Sequence, residues 1–245
     1  MGYHESLTEG RNAVLEAFRS GKTVDRLFVL DGCQDGPVKT ILREAKKQDT
    51  MVQYVKKERL DQLSETKNHQ GVIAYCAACE YAEVSDILEN AKKKGEAPFI
   101  VFLDGIEDPH NLGAIIRTAN QAGAHGVIIP KRRAVGLTAT VARTSAGAVN
   151  YTPVAKVTNL VTVMEDLKKE GMWFVCADMD GEEMYSLNLK GPIGLVIGNE
   201  GEGVSRLVKE HCDMVASIPM KGDIDSLNAS VAMGVLAYEI VRQRR

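Results

Sequence analysis

The sequence predicts an α/β protein whose larger part is built on a mainly parallel sheet, and three observations carry that prediction. Short apolar runs without alternation (FIVFL from Phe99, GVII from Gly126, LVI from Leu195) suit strands buried on both faces. Helical periodicity recurs between such runs, which is the βαβ pattern. Segments 102–130, 195–207 and 218–239 each run from an apolar strand into a Gly/Asn-rich turn, and the first and third open directly onto a helix. Open α/β sheets place their ligands outside the carboxyl ends of strands, so three such ends predict one composite pocket.

The elements follow in order. Residues 12–20 read as a helix, 26–30 as a strand, and 37–48 as a helix with Val38, Ile41, Leu42 and Ala45 on its apolar stripe. A strand at 51–55, a short helix at 57–64 and a strand at 72–76 complete a small α/β module assigned to residues 1–78. Residues 85–94 read as a charged helix capped by Ser85, stopped by Gly95 and Pro98, so 79–97 is expected to be a linker. A second domain is expected over 98–245. Its strands are placed at 99–103, 126–130, 173–177, 194–197 and 214–218. Its helices are placed at 112–122, 138–145, 160–169, 204–211 and 229–242, the last apolar on nearly every side and hence buried.

Composition narrows the classes. The chain has 245 residues, 44% hydrophobic and 26% charged, ordinary for a globular protein with a real core. No apolar run approaches the ~20 residues of a membrane span. Met1-Gly2 with Ser6 fits a loose N-myristoylation pattern, read as chance because a folded helix is expected to begin directly after it. The odd, scattered cysteines (Cys33, Cys76, Cys79, Cys176, Cys212) predict reduced thiols and a cytoplasmic protein. Cys76 and Cys79 have no second pair to make a zinc site, and no metal is expected. A net charge of −3 excludes a general polyanion binder, so nucleic acid would need a local patch. Candidates are Lys131-Arg132-Arg133, Arg43/Lys46/Lys47, Lys56/Lys57/Arg59 and the tail Arg242, Arg244, Arg245.

The turn from Gly198 through Asn199, Glu200, Gly201 and Glu202 to Gly203 has the glycine density of a phosphate loop but neither phosphate-loop spacing. Its two carboxylates would repel a pyrophosphate. A neutral or cationic donor-rich ligand fits better, and an adenosyl group bearing a sulfonium has those properties; a tight turn with two solvated glutamates is the alternative. Asn111 reads either as the N-cap of its helix or as a site residue. Arg117 shares a small polar stripe with Gly113, Asn120 and Gln121, opposite Ile115 and Ile116. Ser226, Asn228 and Ser230 alternate just ahead of the closing helix.

These three segments, in this order, resemble the signature motifs of the SpoU-type RNA ribose 2′-O-methyltransferases, within the knotted S-adenosylmethionine enzymes. The likeness rests on D-G-I-x-D-P-x-N-x-G-x-x-x-R-T-A from Asp104, I-G-N-E-G-x-G from Ile197, I-P-M from Ile218 and S-L-N-x-S from Ser226. Gly10-Arg11-Asn12-Ala13-Val14 and His69-Gln70-Gly71-Val72 resemble blocks of the substrate-binding domain carried by the branch that modifies the peptidyl-transferase region of 23S rRNA. The resemblance implies a deep trefoil knot, a homodimer, S-adenosyl-L-methionine as cofactor, and RNA rather than DNA as partner. That RNA would be 23S rRNA or the assembling large ribosomal subunit. It implies catalytic roles for Arg117, Asn111, Glu200, Ser226 and Asn228. Cofactor contacts would fall to Gly198, Ile218 and Leu227, with Asn199, Gly203, Met220, Thr144 and Ser145 beside them. An arginine pKa above ~12 makes Arg117 a poor base, so orienting the ribose and a phosphate is the expected role. The alternatives are the same chemistry on tRNA and a ribosome-associated RNA-binding protein without catalysis. A nicotinamide dehydrogenase is excluded by the missing G-x-G-x-x-G after the first strand.

Overall fold

The structure is a computed structural model that describes residues 6–224 and 226–245, so Met1-Gly2 of the lipidation-like pattern lies outside the described residues. The chain divides into two compact units, residues up to 80 with 136–139, and 81–135 with 140–245.

The first unit runs β1 (Ser6–Glu9), α1 (Arg11–Arg19), β2 (Val24–Leu30), α2 (Gly36–Lys47), β3 (Met51–Val55), α3 (Lys57–Leu63) and β4 (Val72–Cys76). Its sheet has the order β1-β4-β2-β3, parallel only between β2 and β3. Amphipathic spacing puts Val14, Ala17 and Phe18 of α1 and Val38, Ile41 and Ala45 of α2 into one core with Leu27 and Val29. Helix α2 starts where Asp35 accepts a hydrogen bond from the Val38 N–H at 3.1 Å. Strand β1 stands where a helix start was expected. Four residues carry little periodicity, and its partner β4 lies far along the chain. Cys76 is buried in this core and Cys79 is half-buried, its thiol pushed up by burial.

The second unit runs α4 (Val84–Lys94), β5 (Phe99–Asp104), α5 (Pro109–Gln121), β6 (Gly126–Pro130), α6 (Ala139–Thr144), a 3₁₀ turn (Ala148–Asn150), β7 (Val154–Val157), α7 (Leu160–Lys169), β8 (Trp173–Glu183), β9 (Ile193–Gly198), α8 (Arg206–Glu210), β10 (Met214–Ser217) and α9 (Ala229–Gln243). The sheet has six strands in the order β10-β8-β9-β5-β6-β7, and every pairing is parallel. Continuous burial of β5 and β9 follows from helices on both faces. Phe102 and Phe174 meet edge to face at 5.1 Å in the core. Each such ring contributes roughly 1.5–3 kcal/mol by burial.

Several expectations change here. Helix α4 begins before Ser85, and the Asp86 carboxylate accepts from the Glu83 N–H at 2.8 Å. Strand β7 was unforeseen. Strand β8 runs on through polar residues to Glu183, because β10 pairs with it across a register shift, with Ala216 opposite Glu182. Gly181 permits this close approach, since a Cβ there would lie 2.5 Å from the Val215 carbonyl oxygen. Helix α9 is not buried on every side: Val231 and Tyr238 are half exposed. Two tail arginines are structural rather than free: Arg242 pairs with Glu239, and Arg244 donates to the carbonyls of Ala97, Pro98 and Gly191. Among the described residues, no helix is long and apolar enough to cross a membrane.

Candidate functional site

Strands β5 and β9 are neighbours whose connections leave in opposite directions, β5 toward β6 and β9 toward β10. That is a topological switch point, where open sheets hold ligands at the carboxyl ends of strands. Register sets Asp104 opposite Gly198 at those ends.

Glycine is forced at 198, because a Cβ would collide with the backbone of Gly203 and Val204. The chain then folds tightly back. Asn199 and Gly203 exchange backbone hydrogen bonds at 3.2 and 3.0 Å, and the Asn199 side-chain oxygen accepts from the Gly201 and Glu202 N–H groups at 2.9 and 2.6 Å. The loop uses its own amides internally, which fits the expectation that it is no phosphate cradle. Asp104 fixes its far end by accepting from the Ser205 N–H at 2.8 Å. Helix α8 is accordingly shorter than the sequence predicts.

Helix α5 is capped by Asp108, which accepts from the His110 N–H at 3.0 Å. Asn111 is therefore not the cap, and its carboxamide turns to the site. It donates to Glu200 at 2.9 Å and accepts from the Asn228 amide at 2.9 Å. The Asn228 amide also donates to the same Glu200 oxygen. At the head of α9, Asn228 accepts from the Ser230 N–H at 2.9 Å. Three residues from three distant segments thus close one polar network, in which two carboxamides donate to one oxygen of Glu200.

Two cavities flank loop 199–203. The first, about 480 Å³, is lined by Asp104, Glu107, Asp108, Asn111 and Arg133 besides the loop. The second, about 750 Å³, is lined by Ile197, Gly198, Ile218, Met220, Ser226 and Leu227, with Asp178 and Glu183 opposite. The expected single pocket is thus divided by the loop. Burial alone would raise the Asp178 carboxyl, but the Lys209 ammonium and the Asp180 N–H outweigh it and hold it below the usual range. Asp178 was missed in the sequence reading, whereas Asp104 entered it only as the first residue of a motif and Arg133 only within a basic run proposed for nucleic acid. The only signal was the acidic run after the apolar start of β8.

Other expected residues stand apart. Thr144 packs beneath Gly113, whose added Cβ would lie 2.6 Å from the Thr144 Cβ, and Ser145 is buried with its hydroxyl donating to the Ala142 carbonyl. Neither lines either of these two cavities, and the small stripe on α5 is used for helix packing. Asn120 of the same stripe donates to Thr152 at 3.0 Å. Arg117 is exposed, lines neither cavity, and makes no ion pair with a described residue.

The second cavity suits a purine nucleoside bearing a cation: apolar side chains flank a glycine backbone on one wall, and carboxylates face it. Its volume is within the range of cofactor sites. A pyrophosphate would meet Asp178, Glu183 and Glu200 instead of donors. The donor set therefore fits S-adenosyl-L-methionine.

Comparisons with known proteins agree. The profile described as "SpoU rRNA Methylase family" matches residues 98–238, and that described as "RNA 2'-O ribose methyltransferase substrate binding" matches residues 7–82. The protein is an RNA methyltransferase of the SPOUT class with S-adenosyl-L-methionine as cofactor. More particularly, the chain belongs to the SpoU rRNA methylase family. It is 49% identical over 237 residues to YacO of Bacillus subtilis (strain 168), placed in the TrmH family of tRNA/rRNA methyltransferases, covering 96% of this chain and 94% of that one. Its structure is similar to that of the SpoU methyltransferase AviRb from Streptomyces viridochromogenes in complex with AdoMet, at TM-score 0.62 and 27% identity, covering 98% of this chain and 90% of that one. It is also similar to the AdoMet-bound rRNA methyltransferase from Sinorhizobium meliloti, at TM-score 0.60 and 25% identity, covering 96% and 86%.

Proposed function

We propose that the protein transfers a methyl group to a ribose 2′-hydroxyl of 23S rRNA, acting as a homodimer in the cytoplasm. The observation that carries this reading is the Asn111–Glu200–Asn228 network, which joins the motif segments beside the wall shared by both cavities. The match of residues 7–82 to a 2′-O ribose substrate-binding profile supports the ribose as acceptor. A similar rRNA enzyme that this chain covers across both units supports rRNA over tRNA.

S-adenosyl-L-methionine supplies an already activated methyl group, so the chain's own task is mainly alignment, with reacting atoms brought to roughly 3–3.5 Å. Gly198, Ile218 and Leu227 hold the adenosyl part, with Asn199, Gly203 and Met220 beside them. Asn111 and Asn228 orient Glu200 at the boundary between the cavities, and Ser226 positions the ribose. Arg117 orients the ribose and an adjacent phosphate through its planar fork; its permanent charge makes it unsuited to removing the hydroxyl proton. The half-exposed apolar residues Val231 and Tyr238 on α9 suit a partner copy. The knotted threading belongs to the same reading: β9 inserts between β5 and β8, and α9 packs back onto α5 and β9.

The test is transfer of labelled methyl from S-adenosylmethionine to protein-free 23S rRNA and, separately, to bulk tRNA. The site is mapped by blockage of reverse transcription at low dNTP. Label at one 2′-O position of 23S rRNA is the expected result. Label on tRNA alone overturns the substrate and keeps the chemistry. An Arg117→Lys enzyme retaining most of its kcat would count against the guanidinium role.

A further inference from the structure

S-adenosyl-L-methionine ends in an amino acid, so besides its sulfonium it brings an ammonium and a carboxylate into the cofactor cavity. The residues placed on the adenosyl part, Gly198, Ile218 and Leu227, are uncharged and leave that tail without partners. The lining of the same cavity carries carboxylates on Asp178, Asp180, Glu183, Glu200 and Glu202, and one ammonium, on Lys221. Asp178 is fixed as a charged group, accepting from the Lys209 ammonium at 2.7 Å and from the Asp180 N–H at 3.1 Å. Like charges within a few ångströms repel, so the cofactor's carboxylate is turned away from the wall that runs from Asp178 to Glu183. Its sulfonium and ammonium are drawn to that wall.

Lys221 offers the opposite charge. It is exposed, and its side chain makes neither ion pair nor hydrogen bond with a described residue, so the fold does not use its ammonium. It also stands close to the adenosyl end. Ile218, Pro219, Met220 and Lys221 all line the cavity in succession, and three residues of chain span at most about 10 Å. An ammonium three residues past Ile218 is therefore within reach of the tail of a nucleoside held at Ile218. Among the lining residues it is the one group that can neutralise a carboxylate.

We propose that Lys221 binds the carboxylate of the cofactor's amino-acid tail. The assignment rests on the placing of the adenosyl part in this cavity, and it is independent of which RNA atom is methylated. Lys221 thereby selects a nucleoside that carries the whole amino acid over one that ends at the sulfur, and it adds nothing to the grip on base or ribose.

The experiment is calorimetric titration of the full chain with two ligands whose sulfur is uncharged. S-adenosylhomocysteine keeps the amino-acid tail, whereas 5′-methylthioadenosine ends at the sulfur with a methyl group. Lys221→Met keeps an aliphatic side chain and removes the charge. It is expected to weaken S-adenosylhomocysteine about fivefold, the scale of an exposed ion pair, and to leave 5′-methylthioadenosine within about twofold. Lys221→Arg, which restores the charge, should recover most of the lost affinity. Equal weakening of both ligands by Lys221→Met, or no change in either, would overturn the proposal while leaving the adenosyl part in its cavity. A Lys221→Arg chain as weak as Lys221→Met would overturn it too, because packing rather than charge would then be the cause. A native chain that binds S-adenosylhomocysteine but prefers 5′-methylthioadenosine would show that the tail finds no partner at all. Binding of neither ligand by the native chain would overturn the placing of the adenosyl part, and this assignment with it.

Discussion

Glu200 is held by two carboxamides from different helices, so its neighbours matter through the charge they present. Asn228→Asp keeps an N-cap acceptor for α9 but sets a second carboxylate against Glu200. Its unfolding free energy should fall by about 1–3 kcal/mol at pH 7 and recover on acidification, measured by urea titration at pH 5 and 7. Asn228→Ala, which loses the cap without adding charge, should show no such recovery; parallel behaviour of the two would sink the idea. Gly198 answers to sterics instead. Gly198→Ala pushes a methyl group into the Gly203–Val204 backbone, which must move and take the cofactor wall with it. Calorimetry should find S-adenosylhomocysteine binding weakened at least tenfold, with a stability loss of about 1–3 kcal/mol from overpacking. Unchanged affinity would mean that loop 199–203 does not shape the cofactor wall.

At the scale of elements, one buried and one half-buried side chain lock the start of β5 and the end of α9. His125 is fully buried; its Nδ1 accepts from the Phe99 N–H at 3.0 Å, and its other nitrogen lies 3.1 Å from Glu96. Burial, helped by Lys94, holds this imidazole below its ordinary range, although Glu96 pulls the other way. The unfolded chain therefore binds the proton first. Stability from this group is complete above the unfolded value near ~6.5 and declines as pH falls through and below it. Denaturant titrations between pH 5 and 8 should show a steeper acid loss for the native protein than for His125→Asn. Coincident slopes would remove His125 as the cause. Arg244, lying 5.4 Å from the Phe99 ring centroid, satisfies three carbonyls at the same place. Arg244→Met should cost about 1–3 kcal/mol in unfolding free energy, because three carbonyls, two of them half-buried, lose a charged donor. A loss below 1 kcal/mol would show that water replaces the guanidinium.

For the whole molecule, the all-parallel sheet gathers motif segments nearly 100 residues apart at one switch point, while α9 leaves Val231 and Tyr238 half exposed. Val231→Asp should shift sedimentation velocity toward the mass of a single chain while leaving the far-ultraviolet circular dichroism intact. An unchanged sedimentation coefficient would place any dimer contact elsewhere.

Much of this was legible in the sequence. The apolar runs locate β5, β6 and β9, and glycine and proline punctuation marks most helix ends, because local sterics act within a few residues. The motif residues Asn111, Glu200 and Asn228 also stood out, as types suited to a polar site. What stayed hidden depends on partners distant along the chain. The polar half of β8 forms only because β10 lies beside it, and β1 only because β4 does. Thr144 and Ser145 looked like pocket residues, yet the first fills the space under Gly113 and the second is buried. Asp104 and Arg133 became site residues only when the sheet set them beside loop 199–203. Local propensity and glycine sterics were determined by the sequence alone; the division into two cavities and the closing of the carboxamide network were decided by strand order, which no short window of sequence encodes.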